Sequence, residues 1–219
     1  MSDADLSTPA PSASLETATV RKRPKPGERR VQILQALAMM LEQPGADRIT
    51  TAALAARLDV SEAALYRHFA SKAQMFEGLI EFIEQSVFTL VNQILERDTG
   101  TDTATSTGQR QAARIAAMLV QFAEKNPGMT RVMVGDALVF ENERLQQRMN
   151  QFFDKIETTL KQCLRGAAEG EGSATPSADA QVRASMLTSF LVGRLQRFAR
   201  SGFRRSPSEH LEASLASML

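Results

Sequence analysis

Two short amphipathic helical patterns lie within residues 48–72, separated by only two residues. The first begins after Thr50, a residue type that caps helix N-termini well, and its apolar residues recur at helical spacing. The second begins after Ser61, another N-cap, and has the same spacing. Two helices joined by so short a turn form a helix-turn-helix, with a third helix starting directly after Ser71.

A helix-turn-helix places its second helix in the major groove of duplex DNA. The charge distribution agrees with that role. Residues 21–72 contain ten Lys or Arg against five Asp or Glu, whereas the whole chain has a net charge of only +1. Positive charge on and just before the motif is what a phosphate-binding surface requires. The sequence therefore predicts a protein that binds double-stranded DNA.

The N-terminal segment differs in composition from the rest of the chain. Residues 1–27 are rich in Ser, Thr, Ala and Pro and have no apolar period, so we expect a disordered tail. The tail ends in a basic arm at residues 21–25, which either reaches the DNA or only solubilises the chain. We expect a helix-turn-helix domain over residues 28–74 and a larger helical domain over residues 75–219.

The apolar spacing along the rest of the chain predicts helices, and no segment alternates in the manner of a strand. We expect an all-α fold. The longer helices are predicted from Ser71 onward and over residues 109–125, 142–165 and 179–204. A polar linker is expected over residues 98–108, and a loop over residues 166–178.

The last two long helices are apolar on more than one side. The main stripe of the final one comprises Val182, Met186, Phe190, Leu191, Leu195 and Phe198, and Leu187 falls outside it. Phe153 likewise falls outside the stripe of the preceding helix. The excess predicts a four-helix bundle between two subunits of a homodimer, which would place two recognition helices about one DNA turn apart or a modest multiple of it. The alternative is extra burial within one subunit.

Several other classes of protein are disfavoured by the sequence. It holds no window of 18 consecutive apolar residues and no apolar signal core, so we expect a cytoplasmic protein with no membrane contact. It has no Gly-rich phosphate loop and no nucleophile elbow, which argues against an enzyme. Without a Cys/His cluster, no metal or other cofactor is expected. The single cysteine, Cys163, falls in line with Ile156 and Leu160 and is interpreted as a buried apolar residue.

The motif also carries a family resemblance. Its pattern is Ile49-Thr-Thr, Leu-Ala, Val60-Ser61, Leu65-Tyr66, His68-Phe69 and Ser71-Lys72. This pattern resembles the N-terminal domain of the TetR family of helical, homodimeric DNA-binding regulators. Asp59 departs from it, since the family usually has glycine there. The position requires a left-handed backbone, which Asp tolerates at modest cost.

The resemblance extends into the larger domain, through residues 75–84, 126–141 and 144–151. These segments are similar to one branch of the family, which acts in nucleoid occlusion. The resemblance implies a nucleoid-associated protein that binds dispersed chromosomal sites. It further implies that the DNA-bound protein contacts the tubulin-like division protein FtsZ and antagonises its polymers. The alternative is a ligand-responsive transcriptional repressor of the same fold, with a small-molecule pocket within residues 109–205.

The family pattern assigns DNA backbone contacts to Thr50, Tyr66, His68 and Lys72, and we include Thr51. Thr50 and Lys72 lie at predicted helix N-termini, where free N–H groups and the helix dipole favour a phosphate. Tyr66 and His68 follow the recognition helix and can donate to backbone oxygens. For His68 the alternative is a capped surface histidine.

Base reading is expected from Glu62, Ala63, Ala64 and Arg67. Arg67 can pair with guanine, Glu62 can accept from cytosine, and the alanines can only touch thymine methyls. So few strong base contacts predict that DNA shape, or several dimers on one site, supplies part of the specificity.

For the protein partner, Phe82 is the leading candidate. Helical geometry places it off the core stripe of the long helix after Ser71, with Met75 beside it. An exposed aromatic beside an apolar neighbour can anchor a partner peptide, although packing within the subunit is the alternative. Lys125 and Asn126 would lie along the same groove in this fold. A late basic stripe is interpreted as solvated or paired with Glu141, Glu143 or Glu157; it comprises Arg194, Arg197, Arg200, Arg204 and Arg205.

Overall fold

The computed structural model describes residues 27–43, 49–97 and 104–219, and this part of the chain contains helices and no strand. The predicted all-α class is confirmed. Within the same residues, no helix is both long and apolar enough to cross a membrane. The elements are α1 (Glu28–Leu41), α2 (Thr51–Arg57), α3 (Glu62–Tyr66), α4 (Lys72–Arg97), α5 (Ala104–Lys125), α6 (Pro127–Met133), a 3₁₀ turn (Asp136–Leu138), α7 (Glu143–Gly170), α8 (Pro176–Arg200) and α9 (Leu211–Met218).

Helices α1, α2 and α3 form the helix-turn-helix domain at the N-terminal end. They surround a small apolar core that includes Ile33, Leu37, Leu54, Leu65 and Phe69, all buried. The burial of one stripe from each short helix explains why segments too short to be stable alone remain helical here.

Helix α4 leaves this domain and enters the core of the larger one. Helical spacing in the sequence predicts a core stripe on α4 that runs from Phe76 through Val87 and Leu90 to Ile94. This stripe is buried as far as Val87, but Leu90 is 38% exposed. Val91 is buried in its place. With 3.6 residues per turn, a core stripe can continue three or four residues after Val87, and here it continues four residues on, at Val91.

The larger domain is built on the antiparallel pair α7 and α8, with α5 packed against both. Two boundaries differ from the prediction. The loop expected over residues 166–178 is confined to 171–175, because Ala167, Ala168 and Glu169 favour continuation of α7. Helix α5 begins at Ala104, inside the linker expected over residues 98–108. The first six residues of that linker, 98–103, lie outside the described part of the chain. The tail up to residue 26, with its basic arm, also lies outside it.

The buried stripe of α8 also differs from the prediction. Val182 and Met186 are 60% and 57% exposed, whereas Leu187 is buried. The buried stripe instead begins with Ala180 and Ala184, whose small side chains allow close approach of the neighbouring helix. The outward rotation places the large side chains of the first turns of α8 on the protein surface.

Candidate nucleic-acid interface

The two N-caps of the helix-turn-helix are formed as predicted. The Thr50 hydroxyl oxygen accepts the Ala53 N–H at 3.1 Å, and the Ser61 hydroxyl oxygen accepts the Ala64 N–H at 3.3 Å. Asp59, in the turn, has a φ of 54°. The predicted left-handed backbone at this position is therefore confirmed. Because the Thr50 oxygen acts as an acceptor inside the protein, its hydroxyl proton remains available to a phosphate oxygen.

Thr51 connects the two short helices. Its hydroxyl donates to the Glu62 carboxylate at 2.6 Å, so the first residue of α2 holds the first residue of α3. This contact brings together two side chains assigned to DNA. It also fixes the direction of the Glu62 carboxylate before DNA arrives, since a charge-assisted hydrogen bond restrains the side chain.

The recognition helix α3 is only five residues long and presents a polar outer face. Glu62, Ala63 and Tyr66 on the helix, together with Arg67 and His68 just after it, are exposed. Ala64 is half-buried, because its other side faces the domain core. Four of the five exposed residues carry hydrogen-bonding groups, so this surface can contact both phosphates and base edges.

Arg30 holds the end of the recognition helix and was not identified from the sequence. Its guanidinium donates to the His68 carbonyl oxygen at 2.7 Å and lies 4.1 Å from the centre of the Phe69 ring. The contact spans 38 residues, so no local spacing reveals it. Arg30 thereby fixes the backbone from which the His68 side chain extends.

Lys72 lies at the start of α4, as expected. Ser71 caps this helix by accepting the Gln74 N–H at 3.2 Å. The Lys72 ammonium, however, is paired with the carboxylate of Glu141, which precedes α7. A carboxylate thus occupies a position suited to a phosphate, and the two anions would compete for this lysine.

A second surface, on α7 and α8, is apolar. Val182 and Met186 are exposed, and Phe153 and Phe190 are half-buried. Large apolar side chains left on a surface together mark an interaction site. This is the face expected to pair with a second subunit.

Of the residues predicted to bind the partner protein, three are accessible and one is not. Phe82 is 38% exposed, Lys125 is exposed and Asn126 is half-buried, with its side-chain amide donating to the Phe122 carbonyl oxygen at 2.8 Å. Met75 is 1% exposed. Its assignment to the partner surface is therefore wrong, because its side chain belongs to the core. Leu90, displaced from the predicted core, is the other large apolar side chain that α4 exposes in the described part of the chain.

Of the two alternatives for the basic stripe, the solvated one is confirmed for four of its five members, which are exposed: Arg197, Arg200, Arg204 and Arg205. The pairing with Glu141, Glu143 or Glu157 is not formed among the described residues. Glu141 pairs with Lys72, and Glu157 accepts a hydrogen bond from Gln181 at 2.7 Å. Arg194 instead donates to the backbone and to a hydroxyl group of the segment that follows α8.

We also searched the described residues for a metal site and for a reactive thiol. They contain no group of three His, Cys, Asp or Glu side chains positioned to hold a metal ion. Cys163 is buried, as predicted, and burial raises the pKa of its thiol to about 11. A thiol with such a pKa is almost entirely protonated near neutral pH and is a poor nucleophile.

The comparisons with known proteins cover both domains. The model for bacterial regulatory proteins of the tetR family matches residues 33–79, and the SlmA-like model of the tetracyclin repressor-like C-terminal domain matches residues 108–218. The nucleoid occlusion factor SlmA of Aliivibrio fischeri (strain MJ11) is 51% identical over 188 residues, which cover 85% of this chain and 92% of that protein. The same factor of Photobacterium profundum is 49% identical over 189 residues, covering 86% and 92%.

Solved structures agree at the level of the fold. FadR of Bacillus subtilis, solved with stearoyl-CoA, has a TM-score of 0.67 at 14% identity and covers 86% of this chain and 96% of its own. PfmR of Thermus thermophilus has a TM-score of 0.65 at 21% identity, covering 86% and 97%. The helix-turn-helix, the helical C-terminal domain and the relatives that are 51% identical over 85% of the chain agree: the chain belongs to the TetR family, in the branch of the nucleoid occlusion factors SlmA.

Proposed function

We propose that this protein binds specific sites on the bacterial chromosome as a homodimer and, while bound, antagonises FtsZ polymers. Division septa are thereby prevented from assembling over the nucleoid. The similarity to SlmA over 85% of the chain carries this proposal. The role is that of a binding protein rather than an enzyme, in keeping with its relatives.

The DNA-binding step uses the tip of the helix-turn-helix. We assign phosphate contacts to Thr50, Thr51, Tyr66, His68 and Lys72, since their donors lie at or near helix ends on this surface. We assign base contacts to Glu62, Ala63, Ala64 and Arg67, among which Arg67 is the strongest reader because its guanidinium can bind guanine with two hydrogen bonds.

The FtsZ-binding step uses the outer side of α4 and the end of α5. Phe82 supplies an accessible aromatic ring on a helix whose apolar residues are otherwise mostly buried. Helices α4 and α5 pack together, and the segment Lys125–Asn126 lies where α5 ends and α6 begins. An aromatic anchor with a cation and an amide nearby suits a short peptide segment with apolar and acidic side chains. Leu90 extends the same helix surface.

The experiment is light scattering of FtsZ polymerised with GTP, to which the protein is added alone and then with a duplex carrying a site that it selects. Faster loss of polymer with protein and duplex together is the expected result. Phe82→Ala should weaken the effect about tenfold or more while DNA affinity stays unchanged, because a buried aromatic anchor contributes most of such an interface. Met39→Ala, which removes an apolar side chain that is 50% exposed on α1, is the matched control.

A second candidate function, ligand-responsive repression, is favoured by one observation. A cavity of about 780 Å³ lies between α5 and α9, lined mainly by Ala and Leu side chains. That volume falls within the range of small-molecule sites. The interior between α4, α5 and α7, by contrast, is filled by side chains with no exposed surface, which include Leu79, Ile83, Ile115, Leu119, Phe152 and Ile156. Unchanged FtsZ polymers, under conditions where the duplex is fully bound, would favour the repressor and direct the search to that cavity.

A further inference from the structure

The last turn of α5 is held in place by the residues that follow it. The Asn126 side-chain amide donates to the Phe122 carbonyl oxygen at 2.8 Å, and the Thr130 hydroxyl donates to the Ala123 carbonyl oxygen at 2.9 Å. The last four carbonyl groups of a helix have no partner within the helix itself, so these bonds satisfy two of them. The backbone that carries Lys125 is therefore fixed by local contacts.

Glu124 connects the same turn to a distant part of the chain. Its carboxylate accepts hydrogen bonds from the hydroxyl groups of Ser206 and Ser208, the second at 2.8 Å, across 82 and 84 residues of sequence. Burial alone would raise the pKa of the Glu124 carboxyl, but these hydrogen bonds outweigh it and the pKa lies below its usual value. The carboxylate is therefore charged near neutral pH, and its hydrogen bonds are charge-assisted.

The segment that carries these two serines is fixed in turn to α8. The Arg194 guanidinium donates to the carbonyl oxygens of Pro207 at 2.9 Å and Glu209 at 2.6 Å. It also lies 4.5 Å from the centre of the ring of Phe190, a residue of the face expected to pair with the second subunit. A row of contacts thus leads from the dimerisation helix to the end of α5. All of them lie within one subunit, and none requires an exposed side chain.

Glu124 lies beside the proposed FtsZ-binding surface without belonging to it. Successive residues of a helix are about 100° apart, so Glu124 projects to a different side of α5 from Lys125. The Lys125 side chain is exposed, whereas Glu124 is half-buried and its carboxylate is occupied by the two serines. Glu124 can therefore affect FtsZ through the position of the backbone rather than through direct contact.

We propose that Glu124 is a positioning residue for the FtsZ-binding surface. Through Ser206 and Ser208 it holds Lys125 and Asn126 in the position that FtsZ recognises, and it connects them to the dimerisation helix α8. This inference rests on the proposed function. A helix end that moves freely must be ordered when a partner binds, and that ordering weakens the complex. The contact between Glu124 and the two serines orders it beforehand.

The test measures the affinity of fluorescently labelled FtsZ for the full-length protein on its selected duplex. Ser206→Ala combined with Ser208→Ala removes both hydroxyl donors and leaves every charge in place. We expect FtsZ affinity to fall about tenfold, as for the loss of hydrogen bonds to a charged group, with duplex affinity unchanged. The matched control is Thr158→Ala combined with Thr159→Ala, since these hydroxyl groups donate to carbonyl oxygens of their own helix, α7.

Variants of Glu124 separate its position from its charge. Loss of a carboxylate beside Lys125 would, by charge alone, strengthen the binding of a segment with acidic side chains. Loss of the contact with the serines acts in the opposite direction, so we expect Glu124→Ala to bind FtsZ about tenfold more weakly. Glu124→Asp keeps the charge but is one methylene shorter, and should resemble alanine. Glu124→Gln keeps the length and an acceptor oxygen, and should restore part of the affinity.

Two results of these binding measurements would overturn the proposal. One is stronger FtsZ binding by Glu124→Ala, which would show that only the charge of Glu124 matters. The other is an affinity of the double serine variant equal to that of the double threonine control. Either result would leave the assignment of Phe82 to the FtsZ surface unaffected.

Hydrogen exchange of the backbone amides gives a second readout, which does not involve FtsZ. In the double serine variant, the amides of residues 122–126 should exchange about tenfold faster, while those of α7 keep their rates and the urea midpoint is unchanged. A contact that only stabilised the domain would lower the midpoint and speed exchange throughout. Unchanged exchange at residues 122–126 would overturn the proposal. If the unaltered protein on its duplex fails to bind FtsZ, the proposed function fails, and the exchange rates decide separately whether Glu124 holds this helix end.

Discussion

The ammonium group of Lys72, at the start of α4, is paired with the carboxylate of Glu141, which lies just before α7. The pair joins the helix-turn-helix domain to the C-terminal domain across 69 residues of sequence. Since Lys72 is also a predicted phosphate ligand, Glu141 and a DNA phosphate compete for one cation. DNA binding would then release the segment before α7 from its contact with the helix-turn-helix domain.

Replacing Glu141 with Gln should therefore tighten DNA binding. The variant removes the competing carboxylate and leaves Lys72 with its full charge for a phosphate. If one further phosphate contact becomes effective, the plot of log K against log salt concentration should steepen by about 0.9. Fluorescence anisotropy of a labelled duplex, measured over a series of salt concentrations, gives both the affinity and the slope.

Glu143→Gln is the matched control for that prediction. It removes the same charge two residues away, where the carboxylate contacts only Gln147 within its own helix among the described residues. A general loss of negative charge would strengthen DNA binding equally in both variants. Equal effects would therefore contradict a specific competition at Lys72.

Arg30 should be required for DNA binding even though it was not predicted as a contact. Arg30→Ala removes the bond to the His68 carbonyl and the contact with the Phe69 ring, so the end of the recognition helix loses its anchor. We expect DNA affinity to fall about tenfold, which corresponds to the loss of one hydrogen bond to a charged group. Arg30→Lys separates anchoring from charge. If affinity returns fully with lysine, Arg30 acts as a simple phosphate-binding charge and not as an anchor.

The parts of the fold that were predictable depend on local sequence, and the parts that were not depend on distant contacts. Thr50, Ser61 and the left-handed Asp59 were predictable because a cap or turn is defined by residues within four positions. The Arg30 and Lys72 contacts were not, since each joins residues far apart in sequence. The α8 stripe was misassigned because a large apolar side chain such as Val182 or Met186 counts as core in a sequence pattern whether the fold buries it or exposes it. Alanine is found both in cores and on surfaces, so Ala180 and Ala184 gave no signal. The burial of these two alanines depends on how closely α7 packs against α8.

The exposed side chains of α8 should mediate dimerisation. Met186→Glu places a carboxylate at the centre of this apolar face, and burying an unpaired charge is strongly unfavourable. We expect the variant to be monomeric at micromolar concentrations by size-exclusion chromatography with light scattering, and to bind DNA weakly. Val139→Glu is the control, because Val139 is 62% exposed but lies in the segment before α7. A dimer that survives Met186→Glu would place the subunit interface elsewhere.

Cys163 should be inert in the folded protein. Burial raises its thiol pKa from 9.0 to about 11, so at any pH below 9 the reactive thiolate is about a hundredfold scarcer than for an unperturbed thiol. Reaction with Ellman's reagent at pH 8 should be slow in buffer and fast in denaturant. As pH rises towards 11 the folded protein should begin to react, because the thiolate forms there. Rapid labelling at pH 8 without denaturant would show that the thiol is accessible and ionised.

Gly128 of α6 packs against the backbone of α1, and its lack of a side chain allows that close approach. A Cβ at this position would overlap the carbonyl oxygen of Ala38 in α1, which is backbone and cannot rotate away. Gly128→Ala should therefore lower the free energy of unfolding by about 1–3 kcal/mol, the usual cost of overpacking. Urea unfolding at fixed protein concentration measures it, with concentration held constant because the protein is expected to be a dimer.

Gly166→Ala is the control, because a Cβ there meets no atom within 4 Å. Alanine inside α7 should raise the free energy of unfolding by about 0.5–1 kcal/mol, since glycine loses more backbone entropy on forming a helix. The two identical substitutions are thus expected to act in opposite directions. If both stabilise the protein, α1 and α6 can separate at little cost, and the contact between them does not hold the two domains together. If only Gly128→Ala destabilises the protein, the close approach of α6 to α1 is a fixed part of the fold. A movement of the helix-turn-helix domain on DNA would then carry α6 with it, and would reach the segment Lys125–Asn126 that lies directly before α6.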